Sequence, residues 1–276
     1  MAATFFVVPV WHGSISERAM RLADGAEAIM GDLPSGATHR VEVPTGAGEA
    51  LGTAVRRFSS LHTVKQRTED ALLPHAERVI VIGGDCSATI GALQHAADRT
   101  DGDLAVLWFD AQPDLNTPES SPSGAFGGMV LRAALGDAPT GLAIRTPQLT
   151  PGQVVLCGAR AFDAEESRYI AEHGIPVVGA DAPNLGDALV AAIRATGRTR
   201  VYVHIDLDVL DTAALNGLAN PLPFGLPAAT LVSAIRSVGV EFDIVGASVC
   251  GFAPASPVDA TDDLPTVLRI LGALAA

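Results

Sequence analysis

Short apolar runs alternate with amphipathic segments along nearly the whole chain, and this alternation constrains the fold more than any other feature. The clearest run lies within Arg78–Gly83, where Val79 to Ile82 are consecutive β-branched residues followed by Gly-Gly. Runs of this kind are typical of strands buried on both faces, and intervening segments with a 3.6-residue period are typical of helices. The pattern therefore predicts an α/β fold with a mainly parallel central sheet that helices cover on both sides.

The predicted elements follow one another without a repeat or an obvious linker, so residues 1–276 are predicted to form a single domain. The chain is 48% hydrophobic, enough for one large core. The predicted strands are Thr4–Val10, His39–Val43, Arg78–Gly83, Leu104–Asp110, Gln153–Gly158, Pro176–Ala180, Arg200–Asp206 and Ile244–Val249. The predicted helices run from Ser14 or Ser16 to Met30, Glu49 to about Glu69, Ser87 to Asp98, the region after Gly124 to about Leu135, Ala164 to His173, Leu185 to Ala195, Pro227 to Val238 and Asp259 to Leu274.

Charge and cysteine content exclude several classes of function. The net charge of −13 disfavours nucleic acid and anionic membranes as partners and leaves a small molecule as the expected one. No apolar run approaches the roughly 18 residues of a membrane span, and no signal peptide is apparent. Three scattered cysteines, Cys86, Cys157 and Cys250, suit a reducing compartment better than a disulfide framework. These features predict a cytoplasmic protein.

The segment Val201–Asp211, VYVHIDLDVLD, carries the most informative polar residues. Its apolar start reads as a strand, and side chains alternate across a strand, so His204, Asp206 and Asp208 leave on one face. Carboxylates stacked in this way repel each other and lose hydration, and a divalent cation would neutralise them. The alternative is a solvated strand end whose acids cap the next turn.

Other strands also end in polar residues. Asp110 and Asp114 follow the strand Leu104–Asp110, and Cys86 follows the strand Arg78–Gly83. In parallel α/β sheets, ligands bind beyond the carboxyl ends of the strands, so these groups should meet Asp206 and Asp208 at one edge. Four carboxylates and a thiol at one edge predict a metal site.

Four motifs resemble those of the ureohydrolase superfamily of arginase, agmatinase and formiminoglutamase. Three of them, GGDCS from Gly83, DAQPD from Asp110 and HIDLDVLDT from His204, match the family patterns GGDHS, DAHxD and SxDxDxxDP. The fourth, GARAFDAEE from Gly158, contains Arg160 to Glu166, through which the resemblance extends. The resemblance implies a three-layer α/β/α arginase-like fold. It also implies a centre of two Mn²⁺ ions and hydrolysis of a guanidine or amidine C–N bond by a metal-bound hydroxide. Family members are often oligomers, so a homo-oligomer is possible.

The resemblance also implies roles for individual residues. The implied metal ligands are Cys86, Asp110, Gln112, Asp114, Asp206 and Asp208. Asn116 and Ser123 match positions that contact a substrate α-carboxylate, and Asp163 and Glu166 match positions that receive its α-amino group. The alternative for Asp163 and Glu166 is a pair of acids at a helix N-terminus. Asp114 is expected to act in catalysis. His204 and His12 are candidates to replace a missing catalytic base, and the alternative for each is a hydrogen-bonded structural histidine.

Departures from the family pattern bear on the substrate. Cys86 and Gln112 stand where the family has histidine ligands, Gly127 stands at its proton-shuttling histidine, and Gly251 at its guanidinium-binding glutamate. The guanidinium of arginine is always charged, and it would lack a carboxylate here. An N-hydroxyguanidine is less basic, so the departures resemble those of the Nω-hydroxy-L-arginine amidinohydrolases that supply hydroxyurea for D-cycloserine biosynthesis. The alternatives are an arginase or formiminoglutamase with the usual substrate, and a metal-poor binding protein without enzymatic activity.

Overall fold

A single sheet of eight strands forms the centre of the protein, and every strand pairing in it is parallel. The computed structural model describes residues 3–145 and 149–276. The strands are β1 (Thr4–Val8), β2 (Thr38–Arg40), β3 (Val79–Gly83), β4 (Ala105–Phe109), β5 (Val154–Cys157), β6 (Val177–Val178), β7 (Arg200–Asp206) and β8 (Asp243–Cys250). Their order across the sheet is β2-β1-β3-β8-β7-β4-β5-β6.

Helices cover both faces of this sheet. They are α1 (Met20–Gly31), α2 (Phe58–Leu72), α3 (Thr89–Thr100), α4 (Val130–Ala134), α5 (Ala164–His173), α6 (Leu185–Ala195), α7 (Ala228–Glu241) and α8 (Pro257–Ala275). Apolar residues of α1, α6, α7 and α8 pack on one face, and those of α2, α3, α4 and α5 pack on the other. The predicted α/β fold with three layers is therefore confirmed.

Alternation of side chains divides each central strand between these two cores. In β3, Ile80 and Ile82 belong to the core on the α1 side, whereas Val79 and Val81 belong to the core on the α2 side. Every residue of β3, β4 and β5 is buried. This double burial explains why the strands read as continuous apolar runs rather than as alternating ones.

The predicted helix from Glu49 to about Glu69 is wrong in its first part, because α2 begins at Phe58. Leu51, Ala54 and Arg57 all have positive φ angles in the left-handed region. Such residues interrupt right-handed helical geometry, so the segment forms turns instead. The prediction that Ser14 or Ser16 caps α1 is also wrong, since the residue preceding Met20 is Ala19 and no side chain caps this end.

The parallel arrangement brings the carboxyl ends of β3, β8, β7 and β4 to one edge, where they are neighbours. Each of these strands ends in, or is followed by, a polar residue or glycine at this edge. The fold thus collects side chains from distant parts of the sequence. No helix within the described residues is both long and apolar enough to cross a bilayer.

Candidate active site

A cavity of about 500 Å³ lies beyond the carboxyl ends of the central strands. Every site residue predicted from the sequence lines this cavity except the two candidate bases, His204 and His12. The predicted residues in its wall are Cys86, Asp110, Gln112, Asp114, Asn116, Ser123, Asp163, Glu166, Asp206 and Asp208. The structure therefore brings together side chains that are up to 122 positions apart, from Cys86 to Asp208.

Local backbone hydrogen bonds hold three of the carboxylates in place. Asp110 Oδ1 accepts a bond from the Gln112 amide at 2.8 Å, and Asp206 Oδ1 accepts one from the Asp208 amide at 2.9 Å. Asp208 Oδ1 accepts a bond from the Ala111 amide at 3.1 Å, which joins the ends of β4 and β7. Each of these carboxylates keeps a second oxygen for other partners.

Asp114 is held differently. Its φ angle is +53°, in the left-handed region that few residues other than glycine, asparagine and aspartate adopt. Its Oδ2 atom is buried and has no hydrogen-bond partner among the described residues. A buried carboxylate oxygen without a partner is costly, so this atom is arranged for a group that binds in the cavity.

The electrostatics of the cluster favour a cation. Burial, and then the neighbouring carboxylates, raise the pKa values of Asp110, Asp114 and Asp208 well above the ordinary range. Hard divalent cations prefer oxygen ligands and would relieve this repulsion. Ligand atoms of Cys86, Asp110, Asp114 and His204 lie within 4.8 Å of one another, so the residues present fit a metal site.

Cys86 lies against both Asp206 and a second cysteine. Its Sγ donates to Asp206 Oδ2 at 3.1 Å and is 3.3 Å from Cys250 Sγ. The bond to Cys250 and burial raise the pKa of the Cys86 thiol well above its ordinary value. Cys250 was not among the predicted site residues, although it ends β8 and pairs in register with Asp206. Only the pairing of β7 with β8 identifies Cys250 as a site residue, and this pairing cannot be read from the sequence alone.

Gln112 is exposed and its amide is engaged by another residue. Asn220 Nδ2 donates to Gln112 Oε1 at 3.0 Å, and both side chains line the cavity. The oxygen predicted to bind a metal is thus already a hydrogen-bond acceptor. Asn220 is a second residue that the site prediction missed.

His204 lies behind the carboxylates and is completely buried. Its ring stacks on Trp108 with centroids 3.6 Å apart, and its Nδ1 is 2.9 Å from Ser248 Oγ and 3.0 Å from Thr89 Oγ1. Burial lowers its pKa to about 3. Its Nε2 has no hydrogen-bond partner among the described residues and is 3.9 Å from Asp110 Oδ2. The predicted role as a base in contact with substrate therefore has no support from this position.

His12, the other candidate base, is also buried and does not line the cavity. Its Nε2 is 3.0 Å from the Gly46 carbonyl, and burial lowers its pKa. Gly251, at the predicted position of the missing glutamate, has φ +86°, and a Cβ added there would lie 2.2 Å from Asp206 Oδ1. A side chain at this position would displace that carboxylate.

The cavity wall also contains the predicted substrate anchors. Asp163 is exposed, and its Oδ2 accepts a bond from Asn116 Nδ2 at 2.8 Å. Glu166 is buried, and its two oxygens accept the backbone amides of Leu115 at 3.0 Å and Asp163 at 2.9 Å. Ser123 Oγ accepts the Ala125 amide at 3.1 Å. Asp163 and Glu166 together form a capping box at the start of α5, as the alternative of acids at a helix N-terminus predicts, and Asp163 is the more exposed of the two.

Comparison with known proteins identifies the chain's relatives. An arginase from Bacillus caldovelox is 31% identical over 223 residues, which are 78% of this chain and 73% of that protein. The crystal structure of Entamoeba histolytica arginase in complex with L-ornithine has a TM-score of 0.86 and 22% identity, over 99% of this chain and 97% of that one. Proclavaminate amidino hydrolase from Streptomyces clavuligerus has a TM-score of 0.74 and 22% identity, over 99% and 92%. The model of the Arginase family matches residues 19–268, and because this match spans most of the sequence, the chain belongs to the arginase family.

Proposed function

We propose that this protein is a metal-dependent amidinohydrolase that converts Nω-hydroxy-L-arginine and water to hydroxyurea and L-ornithine. The observation that carries the proposal is the composition of the cavity wall. It has carboxylates for a metal centre, yet glycine and neutral amides stand where a charged guanidinium would need an acid. Because the motifs of this chain resemble those of the amidinohydrolases of D-cycloserine biosynthesis, we infer that the hydroxyurea formed would supply that pathway.

The metal centre would be held by Asp110, Asp114, Asp206 and Asp208, with Cys86 at one of the two remaining family positions; Gln112, a neutral amide that already accepts a hydrogen bond from Asn220, stands at the other. We infer that the metal is Mn²⁺, because the carboxylates are hard oxygen ligands and the chain belongs to the arginase family. Such a centre lowers the pKa of a bound water, which makes a nucleophile available near neutral pH. A thiol is a poorer partner for Mn²⁺ than imidazole, so we expect weaker metal binding than in family members with both histidines.

Charge balance favours a hydroxyguanidine over a guanidinium. Two divalent cations would neutralise the four aspartates. Other acids in the cavity wall have partners already: Asp85 accepts the Gly13 and Ser87 amides, and Glu166 accepts backbone amides. A buried charge without a counterion costs roughly 3–5 kcal/mol. The less basic hydroxyguanidine avoids much of this cost.

The remaining residues would orient the substrate. Asp163 would receive the α-amino group, while Asn116 and Ser123 would contact the α-carboxylate. Asp114 Oδ2, which has no protein partner among the described residues, would accept a proton from the attacking water and return it to the leaving amine of ornithine. Each of these residues lines the cavity.

A panel of guanidino compounds tests the proposal. The purified protein, supplied with Mn²⁺, would be assayed for amine and urea-type products from Nω-hydroxy-L-arginine, L-arginine, agmatine and N-formimino-L-glutamate. We expect the highest kcat/KM for Nω-hydroxy-L-arginine, and we expect Asp206→Asn to lose bound metal and nearly all turnover. Equal or better turnover of L-arginine would favour an ordinary arginase, and a protein that binds no metal and cleaves none of these compounds would favour a binding protein.

A further inference from the structure

The hydrogen-bonded amides of Gln112 and Asn220 form a feature of the cavity that the proposed reaction has not used. Asn220 Nδ2 donates to Gln112 Oε1 at 3.0 Å, and both side chains are exposed to the cavity. This bond uses one donor and one acceptor. Gln112 Nε2 and Asn220 Oδ1 have no other hydrogen-bond partner among the described residues. The pair therefore presents one free donor group and one free acceptor side by side.

The backbone fixes Gln112 close to the carboxylates. Its amide donates to Asp110 Oδ1 at 2.8 Å, and the carbonyl of the preceding Ala111 accepts the amides of Arg160 and Ala161 at 2.9 and 3.0 Å. Gln112 also lies between Asp110 and Asp114 in the sequence. The pair is thus at the metal-binding end of the cavity, where the guanidino group must react.

The segment that carries Asn220 is fixed on both sides. The Ala219 amide donates to the Gly251 carbonyl at 3.0 Å, and the Arg160 guanidinium donates to the Leu222 and Pro223 carbonyls at 2.9 Å each. Side chains on a segment held in this way lose less conformational freedom when they bind a ligand. The amide pair is therefore pre-organised.

We propose that Gln112 and Asn220 determine specificity by binding the hydroxyl group of an N-hydroxyguanidine. A hydroxyl donates one hydrogen bond and accepts others, so it matches the free donor and free acceptor of the pair. An unmodified guanidinium has only donors, and it would set an N–H against the free amide donor. The match is unchanged if both amides are rotated by 180°, because the pair again presents one donor and one acceptor. This inference rests on the proposed function, and it assigns Gln112 to the substrate rather than to a metal.

Substitution of each amide tests the inference. Gln112→Ala and Asn220→Ala should each lower kcat/KM for Nω-hydroxy-L-arginine by about 10- to 100-fold, as expected for a lost polar contact, while changing that for L-arginine by less than about threefold. The double variant should lose much less than the product of the single losses, because the two residues act as a unit. Gln112→Glu removes the donor, and it should lower the ratio of the two kcat/KM values by at least about tenfold.

The matched control is Asn216→Ala, which changes an exposed asparagine of the same segment that does not line the cavity. It should leave both kcat/KM values unchanged. Metal content and Mn²⁺ affinity, measured by elemental analysis and titration, should also be unchanged in Gln112→Ala. Loss of a metal equivalent would make Gln112 a ligand and overturn the inference, as would equal losses on both substrates. If the wild-type protein does not cleave Nω-hydroxy-L-arginine, the proposed function fails as well, which the wild-type assay reveals before any variant is compared.

Discussion

Gly251 illustrates, at the residue scale, how a single position constrains the metal-binding end of the cavity. Its φ of +86° lies in a region that glycine adopts readily and other residues adopt with strain. Its Cα is so close to Asp206 that an added Cβ would lie 2.2 Å from Oδ1. The absence of an acid here is therefore tied to the backbone, and a glutamate could not be installed by substitution alone.

We predict that Gly251→Ala lowers the free energy of unfolding by about 1–3 kcal/mol, because alanine is strained at positive φ and collides with Asp206. It should also reduce bound metal and lower kcat/KM by more than about tenfold. Urea denaturation and elemental analysis measure these effects. The matched control is Gly272→Ala in α8, where a Cβ meets nothing within 4 Å and should be neutral or stabilising. Wild-type metal content and activity in Gly251→Ala would show that this close approach is not a constraint.

The candidate site could be predicted from the sequence only where its residues belong to short motifs. Asp206 and Asp208 follow from strand alternation, and Asp110 and Asp114 follow from the rule that parallel strands end at one edge. Cys250 and Asn220 could not be predicted in this way. Their partners Cys86 and Gln112 are 164 and 108 positions away, and the contacts exist only once the strand order and the loop conformations are known.

At the scale of elements, the central strands could be predicted from the sequence because they are buried on both faces, whereas the conformations of the loops could not. The predicted bounds of β7 and α5 match the structure, because their apolar patterns and end signals agree. The start of α2 was missed because Leu51, Ala54 and Arg57 adopt left-handed conformations without being glycine or asparagine. Local residue preference does not reveal such conformations, since leucine, alanine and arginine all disfavour positive φ.

The two acids that cap the N-terminus of α5 are expected to differ in their effect on substrate binding. Glu166→Ala should lower the free energy of unfolding by about 1–3 kcal/mol, because the Leu115 and Asp163 amides would lose their acceptor. Asp163→Ala should also lower the free energy of unfolding, by about 0.5–2 kcal/mol, because Asp163 is the N-cap residue of α5. Unlike Glu166→Ala, it should raise KM for an amino-acid substrate by at least about tenfold, with kcat less affected. Thermal unfolding and initial rates on the same preparations measure both effects. An unchanged KM in Asp163→Ala would mean that the exposed carboxylate does not bind the α-amino group.

For the whole molecule, the buried carboxylates couple stability to metal binding. Folding places several acids in one cavity of a chain that already has a net charge of −13. Burial and mutual repulsion raise the folded-state pKa values of Asp110, Asp114 and Asp208. Above the ordinary pKa of aspartate, about 3.9, the folded, metal-free protein therefore binds more protons than the unfolded chain does. Its stability must fall as pH rises, until the carboxyls are fully ionised.

We expect the metal-free protein, prepared with a chelator, to lose thermal stability as the pH rises above about 6.5, because the pKa values of these carboxyls are raised only in the folded state. Buried histidines do not interfere there, because the pKa values of His12, His95 and His204 are all lowered and unfolded histidine is neutral above about 6.5. Asp114→Asn removes one of the repelling charges.

Without metal, Asp114→Asn should therefore be more stable than the wild type at pH 8, with a Tm higher by about 2–4 °C for each kcal/mol of repulsion relieved. Its Tm should also depend less on pH. Saturating Mn²⁺ should reverse the order, because only the wild type keeps the full set of carboxylates and gains the binding energy. Asp262→Asn, which changes an exposed acid of α8, is the matched control and should follow the wild type in both conditions. A wild-type Tm that is independent of pH without metal and insensitive to Mn²⁺ would show that the carboxylates neither destabilise the metal-free protein by repulsion nor bind the cation.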